Sequence, residues 1–203
     1  MRYNKNSLIG VLAIFLLLSF GGCTFNATNL DKPYHLNLVE IMDVNFNKSN
    51  DAQPQFYVIS DSGQLKLSAE IIIPANREII LTITSYDMDN APVVSQYTNV
   101  SGTINNKIFL INGAIASGDN VNKQWGENVS SIPKSKVIHT FTIPSLDINI
   151  PIEAGSTVIA VLKPIKKSGT YYWQCMAACG SGKSGWGGAM VTNGWMKGKV
   201  IVR

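Results

Sequence analysis

Cys175 and Cys179 stand four residues apart within Tyr172 to Met196, YWQCMAACGSGKSGWGGAMVTNGWM, a stretch that also holds three of the four tryptophans and three of the six methionines. The run is too rich in Gly and Ser for a stable helix, so both cysteines belong to a loop able to turn their sulfurs toward one point. Two thiolates converging on one point select soft metals, copper above all. His139 lies 36 residues ahead of Cys175, and Met190 follows Cys179 by eleven. One imidazole from a strand, with two thiolates and a thioether from a C-terminal loop, would make a four-donor site soft enough to favour Cu(I). With one cysteine set aside, the same residues would make a mononuclear site of imidazole, thiolate and thioether. Without a metal, Cys175 and Cys179 would form a disulfide if their Cα atoms come within about 7 Å. His139, on an apolar strand face, would then be an ordinary core histidine. The residues alone leave these three readings open.

Other chemistries find less support. Gly182-Lys183-Ser184 matches the end of a phosphate-binding loop, but the required first Gly falls at Ala177. His35 and His139 are the only histidines, and no nucleophile motif accompanies either, which argues against the hydrolytic triads. Thiol–disulfide cycling is disfavoured because Cys-x-x-x-Cys lacks the two-residue spacing and the helix of redox motifs. Trp173, Trp186 and Trp195 are expected to plug a core.

The 203 residues suffice for one domain with a core and a short appendage, and 45% apolar with 15% charged residues is a globular composition. Arg2 and Lys5 give a positive start, and Leu8 to Phe20 is an apolar run of 13 residues, too short to span a bilayer comfortably. The sequence Ser19-Phe20-Gly21-Gly22-Cys23 that follows resembles a bacterial lipobox with Phe where Leu is usual. The resemblance implies a signal peptide over 1–22, cleavage before Cys23 and acylation of that residue. Loss of Arg2 and Lys5 leaves 15 basic against 13 acidic residues, a net charge of +2. That balance argues against a nucleic-acid partner, and the absence of any block of like charges argues against a basic membrane-binding face. Export places Cys175 and Cys179 where unpaired thiols become a disulfide or a protected metal site.

The elements that must position these residues are strands. From Cys23 to Pro33 the chain is polar and aperiodic, a tether. Tyr34 to Phe46, Phe56 to Ile59, Lys66 to Ile73, Glu78 to Tyr86, Val93 to Val100 and Ile108 to Ile111 read as strands separated by turn residues. So do Val137 to Ile143, Leu146 to Ile152, Thr157 to Leu162, Thr170 to Trp173, Ala189 to Thr192 and Lys197 to Val202. Residues 105–135 form a long excursion that either functions or covers an edge. No amphipathic helix is evident, and short alternating strands with frequent turns indicate an all-β sandwich or barrel over 34–203.

Three segments carry a family resemblance. SKVIHTFTIPSLDINIPIEAGSTV resembles the copper domain of cytochrome oxidase subunit II, where V-x-H-S-F-x-[IV]-P-x-L opens the site, and YYWQCMAACG is similar to the Cys-x-x-x-Cys-Gly loop that closes it. IIIPANREIILTITSYD resembles the I-x-V-P-A-G-x-x-V-x-L strand pair of many cupredoxins. The resemblance implies a Greek-key, cupredoxin-like β-sandwich or barrel. It implies His139 as the first imidazole ligand, Cys175 and Cys179 as bridging thiolates and Ala177 as the residue whose carbonyl leans on a second copper. Where the dinuclear family has a second His and then a Met, this chain has Lys183 and Trp186. Met190 would supply the thioether through a longer loop, and only the fold can tell whether His35 supplies an imidazole. One or two copper ions are expected, in electron transfer or copper handling. The rival expectation is a structural or interaction lipoprotein with a Cys175–Cys179 disulfide closing a degenerate site. Subunit II carries transmembrane helices ahead of its copper domain. One short apolar run here suggests an electron carrier, copper-binding protein or oxidase accessory instead, anchored by lipid and facing the periplasm or cell exterior. Its partner would be a redox protein or a copper chaperone.

Overall fold

Short runs in which alternate residues are apolar can bury only one face each, so they must pair into sheets and the sheets must stack. The computed structural model describes residues 32–45, 52–112 and 126–203. Its strands are β1 (Tyr34–Asp43), β2 (Gln53–Ile59), β3 (Leu65–Leu67), β4 (Glu70–Ile73), β5 (Ile79–Ser85) and β6 (Ile108–Asn112), then β7 (Gly126–Val129), β8 (Val137–Ile143), β9 (Ile148–Glu153), β10 (Ser156–Leu162), β11 (Gly169–Gln174) and β12 (Lys197–Val202). One sheet has the order β3-β2-β1-β5-β10-β6-β7 and the other β4-β12-β11-β8-β9. β1 runs parallel to β5, and β4 parallel to β12. The fold is an all-β sandwich of two sheets, as expected from the sequence. The expected signal peptide, Cys23, most of the tether and positions 113–125 lie outside the described residues.

Burial follows the pattern that the alternation requires. β5 and β10 bury every second residue, placing Ile79, Leu81, Ile83, Val158, Ala160 and Leu162 between the sheets. β8 is buried along its whole length, and a further segment bonds to its neighbour β9. That segment was expected to be a strand over Val93 to Val100 and is instead a 3₁₀ turn at Ser95–Thr98 flanked by single bridges. The carbonyls of Tyr97 and Asn99 accept from the buried Asn149 side chain at 3.0 and 2.6 Å, so two acceptors a strand would pair elsewhere are spent on β9. The Lys66 to Ile73 run breaks at Ser68-Ala69, where the chain leaves one sheet for the other and the Trp173 indole N–H donates to Ser68 O at 3.1 Å.

Aromatic rings fill the space between the sheets beside the C-terminal loop. Phe56 meets Trp173 edge-on at 5.6 Å and Phe141 at 6.4 Å, and Phe141 stacks on Trp173 at 5.3 Å. Trp173 is a core plug and Trp195 packs partly buried against the core, whereas Trp186 is 40% exposed. Phe56 is fully buried among these rings. Phe56→Ala is therefore expected to destabilise the protein by about 3–5 kcal/mol, measured as a lower urea midpoint with an unchanged slope.

Candidate metal centre

β8 and β11 run antiparallel, so the start of β8 and the end of β11 lie on the same side of the sandwich and bring His139 and Cys175 together. The register of β8 against β9 shifts between Val137 and His139, an irregularity of the kind that re-aims a side chain. The imidazole edge meets Phe56, with ring centroids 6.1 Å apart. Cys175 leaves β11 with its N–H bonded to Met196 O at 2.8 Å. Its Sγ accepts the Thr140 backbone N–H at 3.3 Å, and Met176 N–H donates to Thr140 Oγ1 at 2.8 Å. Thr140 thus holds the loop at two points.

His139 Nδ1 is 4.0 Å from Cys175 Sγ, Cys175 Sγ is 3.4 Å from Cys179 Sγ, and Cys179 Sγ is 3.3 Å from Met190 Sδ. Cys175 and Met190 are buried, Cys179 is partly covered, and both cysteines are free thiols. Metal–donor bonds of about 2.0–2.3 Å put tetrahedral donors about 3.3–3.8 Å apart; the two sulfur–sulfur spacings fall in that range, and the imidazole stands slightly beyond it. Ala177 O, 3.6 Å from Cys175 Sγ, faces the same sulfur.

Met190 reaches this cluster on a 3₁₀ turn, Gly188–Met190, where a strand over Ala189 to Thr192 was expected. Gly188 takes φ +57°, and Ala189 N–H donates to the buried Gln53 Oε1 at 3.4 Å. Together these bend the chain inward instead of letting it extend. Gly180 is needed for close approach, since a Cβ there would stand 2.1 Å from Gly187 O and 2.7 Å from Met190 Cγ. Lys183 and Trp186 are exposed, and His35 is exposed at the start of β1 beside Ile80, far from the sulfurs. The second imidazole of the dinuclear pattern is therefore not supplied by either histidine position.

Two carboxylates that the sequence reading did not single out complete the surroundings. His139 Nε2 lies 3.1 Å from Asp87 Oδ2 and 3.4 Å from Glu40 Oε1, all three side chains being buried or nearly so. A carboxylate only accepts, so the Nε2 proton points at Asp87 and a neutral ring would offer its Nδ1 lone pair to the metal side. Glu40 Oε2 accepts from Ser85 Oγ at 2.7 Å, while Oε1 makes no hydrogen bond among the described residues. Glu40 shares the inward phase of Leu36 and Leu38 on β1, and a lone acid in an apolar phase is the one sequence signal that pointed to it.

The metal-free charges follow from these contacts. Burial alone would push the His139 proton off, but the Glu40 charge, the Cys179 sulfur and the bonds to Asp87 and Cys175 hold it well above its ordinary value. Burial raises Cys175, yet bonds from Cys179 and His139 win and bring its thiol well below the usual range. Cys179, bonded to that thiolate and buried, is pushed up. Asp87 is lowered: the His139 bond outweighs the cost of burial.

Residues 121–189 match the family described as Cytochrome C oxidase subunit II, periplasmic domain, a span that includes His139, Cys175 and Cys179 and stops one residue short of Met190. Solved structures similar to the chain include a heme-copper terminal oxidase dimer, at 17% identity and TM-score 0.39, covering 85% of this chain and 65% of that one. The copper protein rusticyanin aligns at 14% identity and TM-score 0.32, covering 83% of this chain and 76% of its own. Auracyanin B aligns at 14% and 0.33, covering 85% and 91%. The chain thus spans 65% of the oxidase chain's length. No curated protein matches it.

Asp87→Asn and Glu40→Gln are each expected to weaken metal binding by about 10- to 100-fold, read by competition with a colorimetric chelator in variants whose Tm remains measurable. A second expectation concerns pH. His139, raised above 6.5, contributes stability that is full below 6.5 and is lost as pH climbs through its folded value. Cys175, depressed below 9.0, contributes stability that is full above 9.0 and is lost as pH falls through its folded value. Between 6.5 and 9.0 the His139 contribution falls with rising pH while the Cys175 contribution grows, so the two slopes oppose each other. The Tm of the reduced, metal-free chain should therefore vary less with pH across that window than that of Cys175→Ala. In Cys175→Ala the decline should begin near 6.5.

Proposed function

We propose that this cupredoxin-like domain of the subunit II type holds copper between His139, Cys175, Cys179 and Met190, chiefly as Cu(I), in an exported protein anchored through an acylated Cys23. The observation that carries this reading is the unbroken row of donors, an imidazole nitrogen and three sulfurs, with neighbouring contacts of 4.0, 3.4 and 3.3 Å. Three sulfur donors and one nitrogen favour the softer oxidation state. When bound, copper supplies a one-electron couple that can be stored or passed on.

The chain's own residues do the rest. Asp87 fixes the imidazole through Nε2, so that Nδ1 faces the sulfurs. Thr140 N–H donates to the Cys175 thiolate and lowers its basicity without removing it as a donor. Phe56, Trp173 and Phe141 exclude water from the side facing the core. Copper loading releases the proton held at Nδ1 and the one held on Cys179, so affinity rises with pH.

Electron transfer through a dinuclear centre is a second reading, supported by Ala177 O lying 3.6 Å from Cys175 Sγ. A lipoprotein with the two cysteines joined is the rival, and the sulfurs need close only from 3.4 Å to about 2.05 Å to bond.

Anaerobic Cu(I) titration of the reduced full-length protein tests the proposal. One equivalent bound, and none in Cys175→Ser/Cys179→Ser, is the expected outcome. Two equivalents with a thiolate charge-transfer band on partial oxidation would favour the dinuclear reading. No copper bound, with a mass lower by two hydrogens in the unreduced protein, would overturn the metal reading in favour of the disulfide.

A further inference from the structure

Although the sequence has no block of like charges, the fold assembles one from four separate segments. Arg77 donates to Lys32 O at 2.6 and 3.1 Å and to Pro33 O at 3.4 Å, clamping the chain where the described domain begins. Asn76 N–H donates to Ile165 O at 2.9 Å and Ala75 N–H to Arg203 O at 3.0 Å. The start of the domain, the β4–β5 turn, the KPIKKS loop and the C-terminal residue therefore occupy one end of the sandwich. Lys32, Lys163, Lys166, Lys167 and Arg203 are exposed there and Arg77 partly so. The three loop lysines line an open cleft of about 440 Å³. Asp61, Glu78 and Asp147 are the acidic side chains at this end, leaving six basic against three acidic side chains.

The metal centre is at the other end. β11 runs from Gly169 beside the basic loop to Gln174, next to Cys175. Six residues at about 3.3 Å each separate the two by about 20 Å. β1 likewise runs from Tyr34 to Glu40 at the His139 imidazole. At the metal end Asp43, Asp89 and Glu153 are mixed with Lys134, Lys136 and Lys183, so no single sign prevails.

We propose that the basic end is the face this domain lays on an anionic phospholipid surface, so that the metal centre points into the aqueous phase. The inference rests on the reading that Cys23 is acylated. Cys23 is nine residues ahead of Lys32, and that length of chain spans at most about 30 Å, so Lys32 stays within that distance of the bilayer whichever end faces it. Screening confines attraction to about 8–10 Å at physiological salt, so charge selects the end that touches the surface, and only the basic end carries an excess of one sign. The anchor retains the protein and the basic end orients it. Copper or electrons would then be exchanged with a partner that approaches from solution or projects well above the membrane.

Amine acetylation followed by mass spectrometry of the full-length protein, on vesicles of phosphatidylcholine alone or with phosphatidylglycerol, tests this. Flotation on phosphatidylcholine reports the anchor independently of orientation, and neither readout involves copper. We expect flotation on both vesicles. On the anionic ones alone, Lys163, Lys166 and Lys167 should be modified at least about fivefold more slowly, with Lys134, Lys136 and Lys183 unchanged and protection lost in 0.5 M salt. In Lys163→Glu/Lys166→Glu/Lys167→Glu, Lys32 should lose its protection. Flotation on both vesicles with equal modification at both ends would overturn the orientation while sparing the anchor. Flotation on anionic vesicles alone, with the basic end protected, would support the docking face and remove the anchor. Flotation on neither would overturn both.

Discussion

The buried imidazole of His139 is the contact on which the rest of the site depends. It is cut off from water and faces acidic groups at both nitrogens, Asp87 and Glu40 at Nε2 and the Cys175 sulfur at Nδ1. Desolvated charges are tolerated only when compensated. In the metal-free protein a single imidazolium must answer two carboxylates and a thiolate, which is incomplete compensation. A cation among the sulfurs would take the place of the protons on Nδ1 and Cys179, and the ring would then be a neutral ligand. A buried cluster of acceptors and sulfurs whose geometry lets a cation replace protons is a physical reason for the metal reading proposed above.

Such a cluster keeps its geometry only if its supports cannot relax. Thr140 holds Cys175 and Met176, Gln53 holds the turn that carries Met190, and Gly180 lets the loop close on Gly187. Behind them stand Phe56, Phe141 and Trp173, whose packed rings leave the strands carrying His139 and Cys175 little freedom. Preformed donors lose little entropy on binding, and a rigid frame limits rearrangement when the charge of a bound ion changes. Both storage and electron transfer benefit from that, which is why the number of ions held matters more than stiffness in telling them apart.

The molecule has two ends with different electrostatics, and the strand direction ties them together. β1 begins at the basic end and delivers Glu40 to the metal end, and β11 does the same for Cys175. One sandwich can thus keep a basic surface about 20 Å from a sulfur-rich one. That separation is about twice the screening length, so the lysines add little positive potential at the sulfur cluster, where it would oppose the proposed cation binding.

Local sequence determined the elements wherever one face of a strand is buried and the other wet. Val137 to Ile143 and Lys197 to Val202 were legible to the residue, and the core strands near Ile79 and Thr157 within one or two, because two-residue periodicity is a property of neighbours along the chain. The paired cysteines were legible by spacing, His139 and Met190 by type and by resemblance. Val93 to Val100 and Ala189 to Thr192 were not, since their propensity is for strand and their conformation is set by distant acceptors on Asn149 and Gln53. Asp87 stands 52 residues from His139 in a loop with no pattern, and the basic end is drawn from four segments. Contacts of that kind arise when strands cross between sheets, and the electrostatic energy that fixes them depends on distances in space that the order of residues does not record.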